Sequence, residues 1–266
     1  MGVWGKFFII LILLMQAACS MGSTASVVKI GLVAPFEGRY RAIGYEAIYA
    51  ARLAIREVNR AGGVNGMRVE LFALDDSGER QMAFEQARKL AIDERVVAVI
   101  GHFRPDTTST AIDVYCDEGL PLLAIDSTRS DRCTNVFSLT PTISNRREAA
   151  VADAASFTFV ATVPHPNDLP EANAFVEAFN SIPIDGTQPG PIALQTYDAM
   201  YLLFDALERS SRSGDVPSRE GMVGEIGELR FEGLGGEYRF DTQGERVDAE
   251  MFTYQYPGAT LLRDKK

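Results

Sequence analysis

The residues most able to do chemistry in this chain of 266 are few: two histidines, three cysteines and a scatter of hydroxyls and carboxylates. His102 and His165 have no ligand-like spacing with Cys116 and Cys133, so a zinc site is not expected. Serines and threonines are plentiful, yet none sits in a G-x-S-x-G or S-x-x-K pattern beside a base. The acidic pair Asp75-Asp76 is adjacent rather than spaced, which suits loop hydrogen bonding better than acid–base work. His102 closes an apolar strand, the place of a packed or capping residue. No G-x-G-x-x-G follows the first strand and no P-loop occurs, so neither a dinucleotide nor any other cofactor is expected. What remains is recognition. Three polar loops each follow an apolar strand: Pro35–Tyr40 with Ile43-Gly44, then His102–Thr108, then Asp126-Ser127-Thr128.

The elements that must position those loops repeat one unit. Lys29–Ala34 (KIGLVA) is strand-like, and Ala42–Ala61 has apolar residues at helical spacing up to Gly62-Gly63. Arg68–Ala73, Val96–Ile100 and Pro121–Ile125 are further strands, and Gln81–Asp93 and Thr107–Glu118 are the helices between them. Strands alternating with helices of this length require parallel pairing through right-handed crossovers, hence an α/β doubly wound sheet. In such a sheet ligands bind at the carboxyl ends of the strands, where these three loops lie. A helix begins just beyond the first loop, and its free N–H groups suit an anion; the alternative is that Gly38 and Gly44 only turn the chain.

The amino terminus reads as an export signal. Lys6 precedes the apolar run Phe7–Met15, which is too short to remain as a membrane-spanning helix. Ala17-Ala18 then meets Cys19, and this resembles a bacterial lipoprotein signal, in which that cysteine becomes the lipidated first residue. Gln16 departs from the motif, which has an apolar residue there; cleavage after Ala25 or a retained anchor are the other readings. Without residues 1–18 the chain loses Lys6, leaving 25 basic against 36 acidic residues, a net charge of −11. So acidic a chain has no electrostatic basis for binding nucleic acid or anionic lipid, and would meet a membrane only through its lipid. Cys116 and Cys133 lie in an oxidising compartment if the signal is read correctly. A disulfide and two free thiols are both compatible with the sequence.

Six segments taken in order resemble the type I periplasmic binding proteins of the Leu/Ile/Val-binding class, the solute receptors of branched-chain amino-acid ABC transporters. They are KIGLVAPFEG (29–38), NRAGGVNG (59–66), LDDSGE (74–79), EGLPLLAIDST (118–128), NVFSLTPT (135–142) and TYDAMYLL (196–203). The resemblance implies no enzyme and no cofactor, an extracytoplasmic location, an amino acid or amide as ligand, and an ABC permease as partner. It also implies two lobes closing over the ligand, each of about 100–150 residues, and most of the second is missing here. After a helix at Ser144–Ala155 the chain passes to Phe157–Val163, which in the family leads out of lobe two. It then returns to lobe one through helices near Pro170–Phe179, Pro189–Arg209 and Arg219–Ile226, and ends in strands at Glu237–Phe240 and Glu250–Tyr256. The expected division is therefore a signal at 1–18, a tether at 19–27, one lobe from 28–142 and 170–232, hinge and lobe-two remnants at 143–169 and 233–258, and a tail at 259–266. The alternative is a single-lobe interaction module that docks a permease, receptor or second subunit without capturing ligand.

On these three loops the candidate ligand-binding residues are Phe36, Tyr40, Phe103, Arg104, Asp106, Thr107, Asp126, Ser127 and Thr128. In the family a serine at the start of the helix after the third strand receives the ligand carboxylate; here Pro105 takes that place and removes both the hydroxyl and an N–H. Asp106 is placed to cap that helix and Arg104 to grip a carboxylate bidentately. Thr128 matches the family's orienting threonine, and the lobe-two acid that meets the ammonium has no counterpart.

Lipidation is directly testable. Cells fed a palmitate analogue should label the wild-type chain and not Cys19→Ala. Equal labelling of both, or of neither, refutes it.

Overall fold

The computed structural model describes residues 26–126, 130–140, 157–182, 186–211, 215–256 and 260–261. The export signal with Cys19, the helix expected at Ser144–Ala155, and the candidates Ser127 and Thr128 lie outside the described residues.

The first half alternates strand and helix as the apolar spacing requires. β1 (Val27–Ala34), α1 (Arg41–Arg60), β2 (Arg68–Asp75), α2 (Arg80–Ile92), β3 (Val96–Ile100), α3 (Pro105–Asp117), β4 (Leu122–Ala124) and β5 (Val136–Ser138) follow one another. The five strands form one sheet in the order β2-β1-β3-β4-β5, with every neighbouring pair parallel. Helices cover both faces, so β3 is buried at every position and its sequence is an unbroken apolar run. On one face Ile30, Leu32 and Ala34 of β1 meet the core that includes α1; on the other Val33 packs with Leu90 of α2 and Tyr115 of α3. Cys116 and Cys133 are joined as a disulfide, with Cα atoms 5.5 Å apart, tying α3 to the segment before β5. Closing a loop of 17 residues stabilises by about 3 kcal/mol through the unfolded chain.

The second half contains β6 (Phe157–Ala161), α4 (Asn173–Asn180), α5 (Pro191–Ser210), α6 (Arg219–Glu228), β7 (Phe231–Gly233), β8 (Gly236–Tyr238), β9 (Phe252–Tyr256) and β10 (Thr260–Leu261). Where the proline pattern predicts one helix from Pro170, the chain makes a 3-10 turn over Pro170–Ala172 and only then enters α4. β6 pairs antiparallel with β9, and β10 with the other side of β9. β7 and β8 form a hairpin held from α5: the Asp198 carboxylate accepts from Leu234 N (2.9 Å), Gly235 N (2.8 Å) and the Tyr238 hydroxyl (3.0 Å). Burial raises the Asp198 carboxyl to about 6, against the pull of those donors and the nearby Arg246 charge. Arg246, itself buried, stacks 3.6 Å over Tyr238 and donates to Glu237 O and Thr162 Oγ1. Just before it, Gly244 O accepts from Ser138 N (2.7 Å), and Arg246 N donates to Ser138 O (3.0 Å), which covers the exposed edge of β5.

The two halves meet where α5 lies along α1 in the main core. α5 opens with Gly190 as N-cap and Pro191 at the first position, and neither supplies a side-chain cap. The cap comes from α1: Glu46 Oε2 accepts from Gly190 N (3.1 Å) and Ala193 N (3.0 Å). Glu46 is 4% exposed, and burial pushes its carboxyl up to about 8 although these backbone donors pull it down.

A raised carboxyl pKa has a definite sign. Below about 4.5 both folded and unfolded chains hold the Glu46 proton, and the contribution to stability is fully present. As pH rises toward about 8 the unfolded chain releases that proton first, so stability is lost, by roughly 3–5 kcal/mol in all. Urea midpoints of wild type and Glu46→Gln should therefore diverge between these pH values and run parallel above them. Parallel profiles throughout would place the titration elsewhere.

Candidate functional site

In this sheet order β1 and β3 are adjacent, and the chain leaves them in opposite directions, toward β2 and toward β4. The loops beyond their carboxyl ends therefore part and leave a mouth at the switch point. Local chemistry shapes its first wall. The helical Gly44 sits against the loop after β1 so closely that a Cβ there would lie 2.1 Å from Pro35 O. Asp75, ending β2, holds the same loop: its Oδ1 accepts from Phe36 N (2.7 Å) and Ser77 N (2.8 Å), its Oδ2 from Ser77 Oγ (2.8 Å). Gly78, in the left-handed region at φ +72, lies beneath Tyr40, where a Cβ would meet the ring at 2.9 Å.

The second wall begins at His102, which is fully buried. Its Nδ1 lies 2.7 Å from Asp76 Oδ2 and its Nε2 3.1 Å from the Tyr115 hydroxyl. Asp76 Oδ1 accepts from Gly78 N (2.9 Å), so one buried chain links the loops after β2 and β3 to α3. The order of groups, carboxylate to imidazole to hydroxyl, is that of a nucleophile relay, but the hydroxyl is sealed in the core. Burial, with the Asp76 charge, pushes the Tyr115 phenol far above its ordinary range. It presents no nucleophile to solvent.

Arg104 is the N-cap residue of α3 and Pro105 its first helical position. Asp106, expected to cap the helix, makes no cap bond, because Pro105 shifts it into the first turn; its Oδ2 instead accepts from Arg104 Nη2 at 3.0 Å. The Arg104 guanidinium also stacks 4.0 Å over the Tyr40 ring, joining the two walls. One valence is left over on each partner: Arg104 Nε and Asp106 Oδ1 are buried without a hydrogen-bond partner. Thr107 is fully buried and its hydroxyl donates to Arg104 O (3.0 Å), and Phe103 joins the main core, so both turn inward from the mouth. Asp126 is held from α3 by Thr108 Oγ1 (3.0 Å) and from β5 by Ser138 Oγ on its carbonyl (2.7 Å).

Of the residues singled out from sequence, Tyr40, Arg104 and Asp106 form one contact chain, Asp126 adjoins it through Thr108, and Phe36 is placed by Asp75. Asp76, read from sequence as a loop hydrogen-bonding residue, does that work against Gly78 N and His102, whereas Thr108 and Tyr115 are not singled out from sequence. The signal for Glu46 was present, a carboxylate among the apolar positions Ile43, Ala47 and Ala50; Thr108 and Tyr115 carry none, since both fit an ordinary amphipathic helix.

A sequence profile described as periplasmic binding protein matches residues 27–156 and again 144–260. The leucine-, isoleucine-, valine-, threonine-, and alanine-binding protein of Pseudomonas aeruginosa is 31% identical over 120 residues, 45% of this chain and 32% of the relative. This chain thus aligns with about a third of that curated relative's length. Among solved structures, the branched-chain amino acid transporter substrate binding protein of Streptococcus pneumoniae, in complex with isoleucine, superposes with a TM-score of 0.70 at 14% identity, covering 90% of this chain and 98% of that one. A solute binding protein of an ABC transporter from R. palustris, in complex with benzoate, gives 0.67 at 15%, covering 89% and 95%. At these identities the structural likeness establishes the fold.

The buried chain through His102 should dominate the stability of the mouth. Tyr115→Phe removes only the outer contact and should cost about 1 kcal/mol in denaturant unfolding. His102→Leu strands the Asp76 carboxylate and should cost about 3–5 kcal/mol. Equal small losses would show that the imidazole does not hold Asp76.

Proposed function

From the membership of this chain in the periplasmic binding protein family, whose members are solute-binding proteins and not enzymes, we propose that it is a shortened solute-binding component of an ABC importer for branched-chain or other amino acids or amides. It works at the extracytoplasmic face, tethered through Cys19 and presenting its mouth to a permease. Residues 28–142 and 170–232 make the lobe, with hinge remnants at 143–169 and 233–258.

One observation carries the choice of ligand class. At the switch point a guanidinium and a carboxylate lie side by side, their side chains 26% and 30% exposed. An α-amino acid is complementary to that pair, its carboxylate to Arg104 and its ammonium to Asp106. Tyr40 and Phe36 supply apolar surface beside them, Asp126 a further acceptor, and Ser127 and Thr128 the orienting hydroxyls expected from the family.

Half a cleft holds such a ligand weakly. Pro105 in place of a donor serine removes one charged hydrogen bond, roughly 1.5–3 kcal/mol. A side chain open to water on one side forfeits about another 1.5–3 kcal/mol of burial. Together these losses, about 3–6 kcal/mol, place the dissociation constant two to four powers of ten above that of a micromolar receptor. Calorimetric titration with leucine, isoleucine and valine should show binding in that weak range, lost in Arg104→Met. Micromolar or tighter binding by the monomer would mean that one lobe suffices. Complete absence of binding would favour the other reading, a lobe that docks a partner without capturing ligand.

A further inference from the structure

Away from the mouth, α4, α5 and β7 enclose a cleft of about 440 Å³, within the range of small-ligand sites. Its walls are aromatic. Tyr197 and Tyr201 stand four residues apart on one face of α5, ring centres 4.9 Å apart; Phe175 of α4 lies 4.7 Å from Tyr197, and Phe231 of β7 also lines the cleft. The remaining charge is of one sign. Glu57 lines it from α1, Glu171 and Glu232 lie at exposed positions, and among the described residues no lysine, arginine or histidine lines it. Asp198 also borders the cleft but is committed to the β7–β8 hairpin. The neighbouring Arg230 is committed to Glu237, with Nε 2.6 Å from its carboxylate.

The rings are held in place. Glu57 Oε2 accepts from the hydroxyls of both Tyr197 (2.6 Å) and Tyr201 (2.9 Å), so one carboxylate fixes two ring orientations. Burial, chiefly, raises both phenols above their ordinary range, which keeps them neutral donors to that carboxylate. A ring whose hydroxyl donates to an anion is the more electron-rich, and two such rings beside Phe175 and Phe231 attract a cation whose charge is spread over an apolar body. A neutral apolar ligand would leave the carboxylates uncompensated, and an anion would be repelled.

We infer that this cleft is a second binding site, independent of the mouth, that takes an organic cation of the quaternary-ammonium type. The same chemistry is offered by a free metabolite and by a methylated lysine side chain of a protein, and the site reads the cationic head in either.

The test is calorimetric titration of the purified, processed chain with tetramethylammonium, choline, a short peptide carrying one trimethyllysine, and 3,3-dimethylbutan-1-ol as the neutral isostere of choline. The cations should saturate one site in the low millimolar range or tighter, and the isostere should bind at least about tenfold more weakly. Tyr197→Leu and Tyr201→Leu should each weaken choline about tenfold. Glu232→Gln, at an exposed position where folding is undisturbed, should weaken it about threefold, and saturating leucine should leave it unchanged. Choline tighter than the peptide assigns the site to a free amine, and the reverse to a protein side chain. No saturation by any cation up to about 20 mM, equal binding of the isostere, or undiminished binding in Glu232→Gln together with a folded Tyr201→Leu would overturn the inference.

Discussion

Glu46 places a carboxyl where an amphipathic helix should have none, and the junction of the two halves of the chain depends on it. α5 enters the core with a glycine and a proline at its start, residues that suit the geometry of a helix N-terminus but satisfy none of its free N–H groups. The single carboxylate oxygen that satisfies two of them comes from 144 positions before Gly190 and 147 before Ala193. A serine or aspartate cap on α5 itself would have made that helix self-sufficient. Capping from α1 makes its start dependent on correct docking instead, and docking buries Ala193, Leu194, Met200 and Leu203 against the same core as Ile43, Ala47 and Ala50. Hydrophobic burial supplies the larger stabilisation, and the carboxyl specifies position along the helix axis.

From that junction the rest of the architecture can be followed outward. α1 is held against β1, β1 lies between β2 and β3 in the sheet, and its carboxyl end is one side of the switch point. The mouth is built less by its own exposed groups than by the buried ones behind them. Asp75 and Asp76, adjacent in sequence, serve different loops: the first fixes the loop after β1, the second reaches His102 after β3. Adjacent strand-end residues point to opposite sides, which is why a pair unsuited to shared acid–base work suits this double anchoring. Arg104 and Tyr40 then meet across the gap as the outermost layer of a braced structure.

Much of the architecture was legible from local pattern. Unbroken apolar runs such as Val96–Ile100 mark strands covered on both faces, and the spacing Ile43, Ala47, Ala50, Ala54 marks the buried stripe of α1. Those signals are local because strand and helix periodicities arise from backbone geometry within a few residues. The same locality explains the misread details. The proline at 170 starts a 3-10 turn rather than α4, since its ring fixes one dihedral and leaves the next hydrogen bond to be decided by packing.

What the sequence determined by itself was the α/β class, the succession of strands and helices, and the loops at the carboxyl ends of the strands. Tertiary structure alone decided which groups meet. Tyr40 stacks on Arg104, Cys116 is bonded to Cys133, and Phe103 and Thr107 turn inward while their neighbour Arg104 stays at the mouth. Loop side chains follow no period, so their directions are set by partners distant in the chain. The aromatic cleft is the clearest case: Glu57, Phe175, Tyr197 and Phe231 come from four separate elements, and each reads in sequence as an ordinary helix or strand residue. Only folding, which buries their apolar parts together and leaves one carboxylate to bind two hydroxyls, turns them into a site.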